Sequence, residues 1–245
     1  MPIPAATARV IRPAGVGTPA RSPVPHARPF PNPDMTHARS VARRLLTCLL
    51  PMLALGAGAS LAQEAVGDAT AGAAKAAVCA GCHGMDGKAL QPQYPNIAGQ
   101  HASYIAKQLT NYRDGERVNA LMNGIAATLT DEDILNLAAY YDAQPKIEGV
   151  ASEETLALGE AIYRGGITAQ GIAACIGCHT PQGLGNPASV VPVLSGQNAQ
   201  YTADQLRYFR SATRANDPNR VMRSLSHRLV DEEIDAVANY VQGLH

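Results

Sequence analysis

The chain has 245 residues, 46% apolar and 16% charged, and this length suits one large domain or two small ones. It has two Phe and no Trp, so a small domain would gain from a bound group that adds buried surface. Residues 1–62 hold seven Arg and one Asp, whereas residues 63–245 hold 13 basic and 19 acidic residues. The acidic second segment lacks a basic footprint for nucleic acid. It also has no apolar run long enough to span a bilayer.

The first 62 residues are typical of material that is removed from a mature protein. Residues 1–34 form a leader with nine of the 17 prolines. From Met35, three arginines precede an apolar stretch and then small residues up to Ala62, which predicts a cleaved signal peptide over residues 35–62. A membrane anchor and an organelle transit peptide are the alternatives. Because an export signal does not need residues 1–34, we hypothesise that translation starts at Met35 and that the leader is a mis-assigned start.

Two Cys-x-x-Cys-His motifs, at 79–83 and 175–179, carry the chemistry of the remaining chain. This pattern is the attachment signal for c-type haem, because two thiols one helical turn apart bond the haem edge and the adjacent His binds the iron. The alternatives are a four-Cys zinc site, a redox-active dithiol and structural disulfides. A zinc site would need its two pairs much closer in sequence, a dithiol does not explain a His after each copy, and a disulfide with two intervening residues would be strained. The sequence therefore predicts two covalently attached haem c groups. Their predicted ligands are Cys79, Cys82, His83, Cys175, Cys178 and His179.

The chain is an internal duplication with one motif in each copy. Residues 99–117 align without gaps on residues 196–214, and after a three-residue insertion Met122 aligns with Met222. The positions identical in both copies include Gln100/Gln197, Tyr104/Tyr201, Gln108/Gln205, Arg113/Arg210, Arg117/Arg214 and Tyr140/Tyr240. We therefore predict two domains, residues 63–147 (the first repeat) and 148–245 (the second repeat).

Each repeat is predicted to be all-α. A first helix leads to the motif, a second opens at the Gly-Gln segment, and a third begins at Thr130, where Thr130 and Asp133 form a capping-box pattern. The third helix has an apolar stripe with period 3.6. Its members are Ile134, Leu137, Ala138 and Tyr141, repeated as Ile234, Val237, Ala238 and Val241.

Two methionines are predicted to bind the irons on the face opposite His. Met122 and Met222 occupy equivalent positions and are expected in a polar loop before the last helix, whereas Met85 is too near His83 to reach around the ring. His101 and His227 are rivals, but neither is duplicated, and we interpret both as surface residues. With His and Met on each iron, both axial positions are filled, which favours electron transfer over catalysis. The carbonyls of Pro95 and Pro192 are predicted to orient the two His rings.

These residues resemble class I c-type cytochromes, and the duplication resembles the dihaem cytochrome c4 family over residues 66–243. The resemblance implies two tandem class I cytochrome c-like domains whose haem propionates lie near the domain interface. It also implies a close crossing of the first and last helices at Gly72 and Gly159, against Tyr140 and Tyr240. By this resemblance the protein is periplasmic, is not an enzyme, and passes electrons from a donor such as the cytochrome bc1 complex toward a terminal oxidase.

The expected function is thus a soluble electron carrier of a respiratory chain, and loose association with the membrane stays open. The alternatives are a dihaem subunit of a larger dehydrogenase complex and a dihaem peroxidase. A peroxidase would need one five-coordinate iron, which the methionine pair argues against.

Overall fold

The computed structural model describes residues 67–245, and in this part of the chain it contains ten α-helices and no named strand. The predicted leader and signal peptide lie outside the described residues. No helix among residues 67–245 is long and apolar enough to cross a membrane. The first repeat contains α1 (Ala69–Lys75), α2 (Ala77–His83), α3 (Ala102–Arg113), α4 (Ala120–Ala126) and α5 (Asp131–Asp142). The second contains α6 (Leu156–Gly165), α7 (Ile176–His179), α8 (Ala199–Arg210), α9 (Val221–Ser226) and α10 (Asp231–Gln242).

The first and last helices of each repeat cross at a glycine, as expected. Gly72 on α1 is so close to α5 that an added Cβ would overlap the carbonyl oxygen of Asn136. Gly159 on α6 meets the carbonyl oxygen of Ala236 on α10 in the same way. Only glycine allows these two backbones to approach so closely. The crossing places the helix that leads to each Cys-x-x-Cys-His motif directly on the core helix of its repeat.

The apolar stripe of the last helix forms the core of each repeat, as predicted. On α5, the exposed fractions of Ile134, Leu137, Ala138 and Tyr141 do not exceed 2%. The equivalent residues of α10 are also buried and pack against α6 and α8. These clusters bury one face of each helix and leave its charged face in water, which is the usual source of helix stability in a small domain.

The last helix starts differently in the two repeats. At α5 the capping box is complete, because Thr130 Oγ1 accepts from the Asp133 amide at 3.1 Å and Asp133 Oδ2 accepts from the Thr130 amide at 3.2 Å. At α10 the capping residue is Val230, which has no side-chain acceptor. Only the return bond is present there, from the Val230 amide to Glu233 Oε2 at 2.9 Å.

The segments that carry Met122 and Met222 are short helices, so their prediction as polar loops was wrong. Asn119 caps α4 by accepting from the Met122 amide at 3.0 Å. In the second repeat, Asp217 Oδ2 accepts from the Arg223 amide at 2.9 Å at the start of α9. These side chains satisfy amides that a helix terminus leaves free, and they allow one or two turns to form in a polar sequence.

The two repeats contact each other through equivalent glutamines. Gln100 brackets the backbone of Val193, with Nε2 donating to its carbonyl and Oε1 accepting from its amide, both at 2.9 Å. Gln197 brackets Asn96 in the same way, with both distances 2.8 Å. Because Asn96 and Val193 are themselves equivalent positions, the two halves of the interface are related by a pseudo-two-fold axis. The duplicated chain thus has the self-complementary interface of a symmetric dimer.

Two buried arginines form the rest of this interface. Arg117 Nη2 donates to Tyr201 Oη at 3.0 Å and to Gln205 Oε1 at 2.7 Å. Arg214 Nη2 makes the reciprocal bonds, to Tyr104 Oη at 2.8 Å and to Gln108 Oε1 at 3.2 Å. Both guanidinium groups are about 93% buried, and neither forms an ion pair with any residue of 67–245. Two positive charges therefore lie at the contact between the repeats, among neutral hydrogen-bond partners.

Candidate haem sites

Each Cys-x-x-Cys-His motif ends a helix. His83 is the last residue of α2, and the following Gly84 turns the chain with a φ of 74°. His179 ends α7, and Thr180 takes up the same turn with a φ of 67°, which is strained for a non-glycine residue. Within each motif the two cysteines stand three residues apart on one helical turn, and none of the four forms a disulfide within residues 67–245. The turn therefore presents both thiols from one short stretch of rigid backbone.

Both motif histidines are buried and held by a proline carbonyl. His83 Nδ1 lies 3.0 Å from the carbonyl oxygen of Pro95, and His179 Nδ1 lies 3.1 Å from that of Pro192. Burial lowers the pKa of both rings, and the carbonyl contact opposes this only in part. The rings are therefore neutral, and Nδ1–H donates to the carbonyl. This tautomer leaves the lone pair of Nε2 available to a metal ion.

The first thiol of each motif, Cys79 or Cys175, is kept neutral by burial. Burial raises the pKa of Cys79, and it raises the pKa of Cys175 to about 11. A thiol that has formed a thioether carries no charge at any pH, so its attachment removes the cost of burying an ionisable group. Two thiols on one helical turn, next to a neutral, oriented imidazole, match the donor set that covalent haem attachment requires.

Met122 and Met222 lie at the same place in their repeats, on α4 and α9. Both are half-buried, and four residues further on each short helix buries a small residue completely, Ala126 and Ser226. Met85, by contrast, is 71% exposed. The structure thus brings each His together with its proline carbonyl and places each methionine on a separate short helix of the same repeat. Iron binding by the two methionines remains a prediction.

His101 makes an interface contact, so its interpretation as a plain surface residue was incomplete. Its Nε2 lies 2.7 Å from the carbonyl oxygen of Leu184 in the second repeat. Its equivalent, Asn198, donates through Nδ2 to the carbonyl oxygen of Tyr94 in the first repeat at 2.7 Å. His227 is exposed, as expected.

Sequence reasoning did not assign the inter-repeat hydrogen-bond network to any role. Its members were visible as identical polar residues in the two copies, at positions that an apolar helix face does not require. The two copies could have changed independently, yet these polar residues are identical in both. That identity was the signal for a contact between the repeats. The residues concerned are Gln100, Tyr104, Gln108, Arg117 and their equivalents Gln197, Tyr201, Gln205, Arg214.

Comparison with known proteins identifies the family. The family model for cytochrome c matches residues 69–143 and 156–245. Cytochrome c4 of Pseudomonas aeruginosa is 43% identical over 198 residues, which cover 80% of this chain and 98% of the relative. The crystal structure of reduced recombinant cytochrome c4 from Pseudomonas stutzeri is similar with a TM-score of 0.72 and 40% identity, covering 74% of this chain and 100% of that one.

A relative whose name specifies one electron-donating enzyme also matches. The thiosulfate dehydrogenase electron acceptor of Stutzerimonas stutzeri is 40% identical over 169 residues, which cover 67% of this chain and 78% of the relative. Together with the all-helical fold, these similarities confirm the predicted fold class, the two covalent haem c groups and the electron-transfer role. The chain therefore belongs to the cytochrome c family and, within it, to the cytochrome c4 family of dihaem electron carriers.

Proposed function

We propose that this protein is a periplasmic electron carrier of a respiratory chain, exported by the signal peptide at residues 35–62. It takes electrons from a donor such as the cytochrome bc1 complex and passes them toward a terminal oxidase. The observation that carries the proposal is the duplicated placement of one buried histidine and one methionine in each repeat. One such pair in each repeat would hold an iron with two protein ligands and leave no open position for a substrate.

The proposed ligand sets follow the repeat. Cys79 and Cys82 would hold one haem, with His83 and Met122 on its iron. Cys175 and Cys178 would hold the other, with His179 and Met222. When bound, each haem supplies a metal that accepts and releases one electron. The methionine sulfur is a soft, neutral ligand that favours ferrous iron, and the carbonyls of Pro95 and Pro192 keep each imidazole in the orientation and tautomer that bind iron.

Arg117 and Arg214 are suited to the propionate side of the haems. A buried guanidinium without a carboxylate partner is costly, and two such groups at one interface also repel each other. In the cytochrome c family, the haem propionates are the carboxylates available to pair with such buried arginines. The tyrosine and glutamine partners of each arginine come partly from the other repeat, so both repeats together hold the two guanidinium groups in position.

A redox titration of the purified protein, followed by visible absorption, tests the carrier function. We expect two reversible one-electron steps, two haems per chain by pyridine haemochrome, and no change of either ferrous spectrum under carbon monoxide. A single haem per chain, or rapid carbon monoxide binding without denaturant, would contradict the proposal.

A second candidate function is the dedicated electron acceptor of a dehydrogenase. The similarity to the thiosulfate dehydrogenase electron acceptor favours it. The two functions differ in assembly: a dedicated acceptor would co-purify with its enzyme at fixed stoichiometry, whereas a carrier would not. Thiosulfate-dependent reduction of the haems in a membrane-free extract, abolished when the co-purifying enzyme is removed, would select the acceptor.

A further inference from the structure

The second repeat has an open cavity of about 330 Å³ whose wall is strongly basic. We call its polar wall the basic face, consisting of Arg210, Arg220, Arg223, Ser224, His227 and Arg228. No acidic residue lines this cavity. Residues 151–245 contain seven arginines and no lysine, and four of the seven lie here. Residues 151–245 have a net negative charge, yet most of their arginines lie together at the basic face.

The basic face lies beside the proposed iron ligand on one short helix. Arg223 directly follows Met222 on α9, whereas Arg220 precedes the helix in a left-handed conformation and His227 follows its last residue. Successive residues of a helix point about 100° apart, so Met222 and Arg223 lie on neighbouring sides of α9. Ser226, one turn after Met222, is fully buried. The basic face is thus next to the segment that carries Met222.

The first repeat provides an internal control for this face. The residues equivalent to Arg220, Arg223, His227 and Arg228 are neutral. They are Ala120, Asn123, Ala127 and Thr128. Only Arg210 has a charged equivalent, Arg113. Because the first repeat forms the equivalent helix α4 without these four residues, a helix at this place does not itself require basic side chains.

Much of this positive charge is uncompensated. Arg223 pairs with the buried Asp217 at 2.6 Å, and Arg210 pairs with Asp231 at 2.7 Å. Arg228 donates to a neutral group, the carbonyl oxygen of Gln170, at 2.6 Å. Within residues 67–245, neither Arg220 nor Arg228 has an ion-pair partner. Two guanidinium groups therefore remain free to bind a carboxylate from outside.

We propose that the basic face is the docking surface for an acidic patch on a redox partner protein that exchanges electrons through the second haem. This rests on the proposed carrier function. Guanidinium groups bind carboxylates through two parallel hydrogen bonds, and a charged surface of this kind steers an oppositely charged partner on approach. The positive charges come from three segments, which are the end of α8 (Arg210), the start and body of α9 (Arg220, Arg223) and the turn after it (His227, Arg228). That spread fits several carboxylates on a protein surface better than one small oxyanion.

Nuclear magnetic resonance of the reduced, diamagnetic holoprotein tests this surface. The probes are a ten-residue poly-glutamate peptide and, separately, inorganic phosphate, both at low ionic strength. We expect peptide-induced amide shifts clustered at residues 210–228, and we expect added salt to remove them. Arg220→Gln/Arg228→Gln should weaken peptide binding about five- to tenfold, since two charge contacts are lost. Lys88→Gln/Lys146→Gln changes the net charge equally on the first repeat and its linker, and should weaken binding less than about twofold.

Any of four results would overturn the proposal. Shifts spread evenly over both repeats, or equal weakening in the two double variants, would show attraction by net charge alone. Phosphate binding at residues 210–228 as tightly as the peptide would indicate a small-anion pocket instead. Unchanged peptide binding by Arg220→Gln alone would also contradict the proposal, even if the double variant folds poorly, because the Arg220 guanidinium contacts no partner within residues 67–245. The visible spectrum of each sample reports iron coordination separately, so failure of the carrier function would be seen independently of docking.

Discussion

At the scale of single residues, the most informative contacts are those between a side chain and a distant backbone group. The carbonyls of Pro95 and Pro192 fix the tautomer of His83 and His179, and Gln100 and Gln197 each satisfy one amide and one carbonyl of the other repeat. In both cases the contact removes a donor or acceptor that would otherwise be buried without a partner. Such contacts position a site more precisely than apolar packing, because their geometry is directional.

Gln100→Ala should lower the free energy of unfolding by about 2–4 kcal/mol. The substitution leaves the amide and carbonyl of Val193 buried without partners, and each unsatisfied group costs about 1–3 kcal/mol. Guanidinium denaturation of the holoprotein measures the change. Gln200→Ala, on the exposed side of α8, is the matched control and should change stability by less than about 0.5 kcal/mol. Equal effects of the two substitutions would show that the interface bonds add nothing.

The local residues of the site could be predicted from sequence, whereas the distant ones could not. The two motifs, the proline carbonyls and the capping box depend on residues within about one or two turns or a short loop, so their spacing is sufficient. The contacts of Arg117 and Arg214 join residues 84 to 110 positions apart. Spacing alone does not determine such a contact, and only the identity of the polar pairs in the two copies hinted at it.

At the scale of helices, the main difference from the sequence prediction lies in the two short helices that carry Met122 and Met222. The Met-bearing segments were expected to be loops because their sequences are polar, but Asn119 and Asp217 supply the caps that make them helical. Capping is a property of one side chain and one backbone amide, so a hydrophobic pattern does not reveal it. The result matters for function, since a methionine on a helix has a more restricted position than one in a loop.

Val230→Thr should stabilise the second repeat by about 1 kcal/mol. It would restore the missing side-chain acceptor at the start of α10, where Glu233 already makes the return bond. Thr130→Val in the first repeat is the reciprocal variant and should lose a similar amount. Thermal unfolding of both variants measures the pair, and changes of the same sign would contradict the capping interpretation.

Gly72→Ala and Gly159→Ala should each destabilise the protein by about 2–4 kcal/mol. The added Cβ would overlap a backbone carbonyl of the crossing helix, and neither helix can move without disturbing the core. Gly124→Ala is the control, because a Cβ there meets nothing within 4 Å and alanine favours a helix. We expect that control to be neutral or slightly stabilising in the same denaturation experiment. A neutral Gly72→Ala protein would show that the helices do not cross so closely.

At the scale of the whole molecule, a symmetric interface joins two repeats whose outer surfaces differ. The pseudo-two-fold axis relates the buried glutamines, tyrosines and arginines, whereas the basic face exists only in the second repeat. The symmetric interface would allow two equivalent haems to exchange electrons with each other. The asymmetric surface would allow only one of them to exchange electrons with a charged partner protein. The shared interface residues follow from the duplication of the chain. The basic face follows from sequence differences confined to α9 and the segments next to it.

Folding of each repeat should depend on its haem. The chain has two Phe and no Trp, and each repeat is close to the size at which a small core barely offsets chain entropy. Cys79→Ala/Cys82→Ala should therefore leave the first repeat largely unfolded, with about half of the helical circular dichroism lost. A spectrum of native amplitude from a protein that carries one haem would contradict this.

The central claim is that Met122 and Met222 close the sixth position of the two irons, so that each iron only gains and loses an electron. The most direct test is the near-infrared sulfur-to-iron band of the ferric protein, recorded for the native chain and for Met122→Ala, Met222→Ala and the double variant. We predict two low-spin haems in the native protein, about half the band in each single variant and none in the double variant. A high-spin haem in the native protein, or a band unchanged by either substitution, would contradict the account.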